Sequence, residues 1–157
     1  MTSQVAGSIR IVQGTPEAAQ AKAFADLGEM AARGLFEHML GAASSRLMQR
    51  MYMQPENEMS FQQTHFAYAG DDIAGMCNGY STAQKKQIES RTNRMMVQYA
   101  GWRVLRMAWV GFQLRHIFDF LQQLPDDTFY IQMLAIYPQF RGQGIGQQLL
   151  AHAEARA

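Results

Sequence analysis

Apolar and polar residues follow one another along this chain with a period that changes from segment to segment, and the changes mark its elements. Ser8 to Gln13 is a short β-branched stretch that predicts a strand. Gly14-Thr15-Pro16-Glu17 then combines a turn, an N-cap candidate and a proline suited to the first helical position, so a helix should begin near Pro16. Its apolar face runs through Ala19, Ala23, Leu27, Met30, Leu35 and Met39, with Gly28, Gly34 and Gly41 as breaks. Two helices or one kinked helix fit residues 16–53 equally. After a turn at Pro55-Glu56-Asn57, the segments Ser60 to Ala69 and Ile73 to Tyr80 read as strands joined by Gly70-Asp71-Asp72, an antiparallel hairpin.

Ser81 to Asp127 reads as helix. Apolar residues recur at spacings of three and four in two rows, Met95, Tyr99, Trp102, Leu105, Trp109 and Phe112, and Val110, Leu114, Ile117, Leu121 and Leu124. A helical pair packing its own small core or a dimer partner would explain them; so would a segment that closes over a substrate pocket and sets specificity. Phe129 to Ile136 is aromatic and aliphatic with only Gln132 polar, a buried strand that Pro138 ends. From Ile145 the positions Ile145, Leu149, Leu150 and Ala153 return to helical spacing.

Composition narrows the class without naming it. At 157 residues, 48% hydrophobic and 17% charged, the chain can bury one core, and residues 1–157 are expected to form one domain. A net charge of +1 gives no general attraction to nucleic acid or anionic membrane. Lys85, Lys86, Arg91, Arg94, Arg103, Arg106 and Arg115 suggest an electropositive face, but no RNA- or DNA-binding motif accompanies them. Arg106, Arg115, His116 and Asp119 interrupt the most apolar stretch, which argues against a membrane span, and MTSQVAGSIR lacks the features of a signal peptide. The single cysteine, Cys77, excludes an intramolecular disulfide and reads as a small buried thiol; a cytoplasmic location is expected. His38, His65, His116 and His152 have no metal-ligand spacing, so no metal is expected.

The chemistry concentrates between the last strand and the last helix, in Arg141-Gly142-Gln143-Gly144-Ile145-Gly146. The first N–H groups of a helix have no internal partner and stand at the positive end of its dipole, so an anion there gains several charge-assisted hydrogen bonds. Gly142, Gly144 and Gly146 remove side chains that would hold a pyrophosphate away, and Arg141 adds positive charge. A glycine turn with no ligand is the alternative, yet three glycines in five residues exceed what close packing requires. Two common phosphate motifs fail on spacing. A dinucleotide fingerprint counted from Gly142 meets Gln147 where its third glycine belongs, and a Walker loop needs a lysine, of which none follows Lys86.

The run Leu134-Ala135-Ile136-Tyr137-Pro138-Gln139-Phe140-Arg141-Gly142-Gln143-Gly144-Ile145-Gly146 closely resembles the signature of the GNAT superfamily of acetyl-CoA-dependent N-acetyltransferases, [RQ]-x-x-G-x-[GA] after a strand and a proline. The hairpin text Phe66 to Met76 resembles the superfamily's second and third strands, in the correct order. The resemblance implies an α+β fold with a mixed, mostly antiparallel central sheet flanked by helices, and a helical insertion at about 82–125 before the cofactor strand. It implies that acetyl-CoA is the acyl donor. Backbone groups on the strand Leu134, Ala135, Ile136 would meet the pantetheine arm, and N–H groups across Arg141, Gly142, Gln143, Gly144, Ile145, Gly146 and Gln147 would hold the pyrophosphate.

The expected reaction is acetyl transfer from the thioester to a primary amine, an acyltransferase reaction that needs a base to take the amine's proton. Many family members carry a glutamate where Gln132 stands, and an amide cannot accept that proton; Gln132 would orient a water instead. His65 and His116 are the other candidates. Superfamily members continue past the phosphate-binding helix with further strands, whereas this sequence ends at Ala157, which reads as a truncated frame or as a sheet completed by a homodimer or second chain. Two other functions fit: an acetyl-CoA-binding module without catalysis, and a helical interaction protein with a structural glycine turn. A small-molecule or peptide amine is the partner the first reading implies.

Overall fold

The computed structural model describes residues 8–116, 119, 124–125 and 127–157. Ile117 and Leu121 of the second apolar row, and the first seven residues, lie outside them.

Four strands form one antiparallel sheet in the order β1 (Ile9–Gln13), β2 (Thr64–Ala69), β3 (Asp72–Ser81) and β4 (Phe129–Ile136). The predicted hairpin is β2–β3. Its first strand starts at Thr64 rather than Ser60, because the Ser60 hydroxyl accepts the Gln62 N–H at 3.0 Å and caps a 3-10 turn over Phe61–Gln63. A serine cap that competes with the ladder shortens the strand.

Between β1 and β2 the chain makes three helices, α1 (Ala18–Ala31), α2 (Leu35–Leu40) and α3 (Ser44–Tyr52). Gly34 and Gly41 have positive φ and separate them as predicted, but Gly28 lies inside α1 and does not break it. Its missing side chain permits close approach instead: a Cβ there would stand 2.4 Å from Met48 Cε and 3.2 Å from Met133 Sδ. Phe24, Leu27, Met48, Met51, Tyr52, Phe66 and Met76 are fully buried between these helices and one face of the sheet. Each such side chain contributes about 1.5–3 kcal/mol by leaving water.

From β3 the chain passes directly into α4 (Thr82–Ala100), which opens with a capping box: the Ser81 hydroxyl accepts the Gln84 N–H at 3.1 Å and Gln84 accepts the Ser81 N–H at 3.0 Å. Gly101, with φ of 57°, turns the chain into α5 (Val104–Gln113). The first apolar row does not pack as one stripe. Met95 is buried, whereas Trp102, Leu105, Trp109 and Phe112 are 60–74% exposed, because α5 turns Met107 and Val110 inward. On the sheet's other face lies α6 (Ile145–Glu154), which buries Ile145, Leu149 and Ala153 against Ala67, Ala74 and Cys77 and leaves Leu150 exposed.

Candidate functional site

Strand β4 forms one edge of the sheet built by the described residues, and its pleat sorts its backbone groups. The Tyr137 N–H donates inward to the Ala74 carbonyl at 2.9 Å, so the alternation of the strand turns Ala135 toward β3 as well and Leu134 and Ile136 toward the open edge. Ala135 has its side chain in the core, 8% exposed, while Leu134 and Ile136 offer edge donors and acceptors. Arg141 Nε donates to the Ile136 carbonyl at 3.2 Å, which ties the guanidinium to the end of this strand.

The glycine turn follows. Gly142 and Gly144 have φ of 77° and 74°, and a Cβ at either would meet nothing within 4 Å. Their glycines serve the left-handed backbone, not packing. Gly144 caps α6, whose ladder begins with the Gln148 N–H donating to the Gly144 carbonyl at 3.1 Å. Among the described residues no acceptor takes the N–H groups from Gly142 to Gln147. Arg141, Gln143 and Gln147 are exposed, Gly146 is half-buried and Ile145 anchors the turn in the core. Free amides at a helix start, beside a tethered arginine, fit a diphosphate.

Upstream on β4 the ladder carries a bulge. Asn78 pairs with Met133 and Gly79 with Ile131, so Gln132 is the extra residue, and both Gln132 and Met133 line a cavity of about 470 Å³ on the face opposite α6. Helices α1, α2, α4 and α5 wall it with Ala31, Leu35, Phe36, Met39, Asn93, Met96 and Met107. The Gln132 side-chain oxygen is buried with no partner among the described residues.

Glu58 stands in the same cavity, and the sequence reading missed it. It is held at three points. Its N–H donates to the Thr92 hydroxyl at 3.0 Å, its carbonyl accepts from the Asn78 amide at 3.2 Å, and the Tyr80 hydroxyl donates to its Oε2 at 3.0 Å. The preceding Asn57 is fully buried, donating to the Met51 and Gln54 carbonyls and accepting the Met59 N–H, which fixes the loop. Burial pushes the Glu58 carboxyl above its ordinary range, against the Tyr80 hydrogen bond and Lys85, which lower it; Glu89 adds to the rise. Burial likewise raises Tyr80, so its proton stays on the hydroxyl and the hydrogen bond runs toward Glu58.

The family model described as the acetyltransferase (GNAT) family matches residues 32–157. The chain belongs to the GNAT acetyltransferase family. Two solved structures are similar to it in fold. The crystal structure of an acetyltransferase shares 16% identity over 94% of this chain and 74% of that one, with a TM-score of 0.64. An N-acetyltransferase from Staphylococcus aureus Mu50 shares 17% identity over 94% and 76%, with a TM-score of 0.63. No curated protein matches the sequence.

Within this GNAT fold the other candidates fall away from the cavity. His65 packs on α6, its ring 4.7 Å from that of His152 and its Nδ1 3.1 Å from Arg156 Nη1. Burial, and then the Arg156 and His152 charges, lower its pKa to about 4, so it is neutral at physiological pH and lies on the wrong face. His116 is exposed. Cys77 is buried and its thiol is pushed up to about 11 by burial, an inert core group. The basic residues of the helical segment do not make one open patch: Arg91 pairs with Glu56 at 2.9 Å, and Arg103 and Arg115 lie over the Trp102 and Phe112 rings. A larger hollow of about 590 Å³ between α1, α3 and α4, lined by Arg46, Gln49, Arg50 and Gln98, reaches neither β4 nor the glycine turn. Among the described residues no cluster of His, Cys, Asp and Glu could share a metal ion, and no helix is long and apolar enough to cross a membrane.

Proposed function

We propose that this GNAT acetyltransferase acetylates a primary amine, with acetyl-CoA along β4 and the glycine turn and the amine in the cavity beside Glu58. The observation that carries the reading is the bulge: Gln132 lines the cavity, and two residues on, Leu134 begins the outward-facing edge. One strand therefore serves both substrates. When bound, acetyl-CoA supplies an acyl thioester open to attack by an amine.

The residues divide the remaining work. Leu134 and Ile136 take the pantetheine amides at the edge of β4, and the N–H groups from Gly142 to Gln147, with Arg141, take the diphosphate. Gln132, outside the ladder register, offers its N–H to the acyl oxygen. An alkylamine arrives as an ammonium, and Glu58 receives its proton at Oε1 while Tyr80 holds Oε2. A carboxylate made more basic by burial suits that task better than an exposed one. Gln132 Oε1 accepts a second amine N–H and fixes the direction of attack.

The test is incubation with acetyl-CoA and a panel of primary amines, following free thiol, beside calorimetry with CoA. Amine-dependent thiol release together with heat from CoA is expected. Binding without release would reduce the protein to a CoA-binding module, and neither would leave the glycine turn structural.

A further inference from the structure

We infer that the acceptor is a monoamine with an apolar body, of the arylalkyl or alkyl type, and not a polyamine, an aminosugar or a lysine-like amino acid. The inference rests on the acetyl-transfer reading above and gives it a substrate class. Among the described residues lining the cavity, Glu58 is the one charged group, and its Oε2 is already engaged by Tyr80. The Thr92 hydroxyl is also spent, accepting the Glu58 N–H and donating to the Ile88 carbonyl at 3.0 Å. Glu58 Oε1 and the buried Gln132 Oε1 remain as acceptors, with the exposed Asn93 amide the other polar side chain of the lining. The cavity therefore holds one negative charge, enough for one ammonium group.

Asn93 adds one exposed, uncharged amide, and the rest of the wall is chiefly thioether and hydrocarbon, with Leu35, Phe36, Met39, Met96, Met107 and Met133. A second ammonium entering here would lose its water and find no counter-charge, which costs far more than any methylene contact returns. A carboxylate on the acceptor would face Glu58 with no cation among the lining residues to receive it. An aromatic ring or alkyl chain gains from the same wall, since methionines adapt to irregular apolar shapes and their sulfurs favour aromatic edges. At about 470 Å³ the cavity is of small-molecule size.

Phenethylamine, n-hexylamine, spermidine and lysine are compared by calorimetry, with and without CoA, and by thiol release from acetyl-CoA. Phenethylamine and hexylamine should bind, and should exceed spermidine and lysine by about tenfold or more in kcat/KM. Met107→Glu supplies a second carboxylate on a half-buried position of α5; it should raise spermidine turnover and lower that of hexylamine. Heat from phenethylamine with no thiol release from any amine would uphold the pocket assignment and defeat acetyl transfer. Thiol release fastest with spermidine, lysine or a peptide amino terminus would uphold acetyl transfer and overturn the inference, as would spermidine binding more tightly than phenethylamine.

Discussion

From Leu134 to Gln147 the residues proposed for acetyl-CoA follow one another in the chain and, apart from the Arg141 side chain, act through backbone: an open strand edge, a left-handed turn and the free amides of a helix start. The cavity on the opposite face is assembled from the end of α1, from α2, α4 and α5, from the loop before β2 and from β4, and it acts through side chains. On the proposed reading the first region depends on the left-handed backbone of Gly142 and Gly144, and the second on one carboxylate set among uncharged side chains. A cofactor common to a family suits the rigid, backbone-built region, and a variable acceptor suits the other. Changes on the two sides should therefore fail differently.

The largest effect is expected from Glu58→Gln. Glutamine retains an acceptor for Tyr80 and fills the same space but cannot take a proton, so kcat/KM should fall about 100-fold or more while CoA affinity stays unchanged. Steady-state thiol release and calorimetry measure the two quantities. An active Glu58→Gln variant would move the base elsewhere and remove the chemical distinction between the regions.

Gly144→Val tests the other side. At φ of 74° a β-branched residue is strained by about 1–2 kcal/mol, and the turn relaxes away from the geometry that aims its amides. The KM for acetyl-CoA should rise about tenfold or more with kcat changed much less, because uniform binding is lost. A fall in kcat with KM intact would mean that the turn shapes the reacting geometry instead of holding a diphosphate.

The contrast also explains what could be read in the sequence. The hairpin, β4, the glycine turn and α6 declare themselves because backbone recognition demands particular residues at fixed local spacing, and these are the residues that carry the family. The helical segment from α4 to α5 is recognisable by period, but period does not say which row faces inward: Trp102, Leu105, Trp109 and Phe112 of the first row lie outside, while Val110 of the second is buried. Gln132 stands out as the polar residue in β4, yet its bulge, which turns it into the cavity beside Met133, has no local signature. Glu58 follows the turn at Pro55-Glu56-Asn57 and looks like a solvated loop acid. Its depth comes from Thr92, Asn78 and Tyr80, which are brought to it only by the fold. Asn57 gives no hint either, because an asparagine after a proline reads as a turn residue and its burial is visible only in the fold.

The smallest effect joins stability to chemistry on a single proton. Burial holds the Glu58 carboxyl above its ordinary value of 4.5. A raised carboxyl favours the protonated form in the folded state, so its contribution to stability is complete below 4.5 and is lost as pH climbs through the folded value. That same ionisation creates the base, so activity rises over the window in which stability falls. Glu58→Gln removes the titration and keeps the Tyr80 partner. Its unfolding free energy should overtake that of the wild type above pH 4.5, with the gap widening until Glu58 is fully ionised. Urea unfolding from about pH 4 to 8 measures the gap, and the wild-type kcat/KM profile should rise with an apparent pKa inside the same window. Parallel stability curves would mean that Glu58 ionises as freely as a surface acid, and a water-filled cavity of that kind would be no better suited to its base than the exposed turn is to its acceptor.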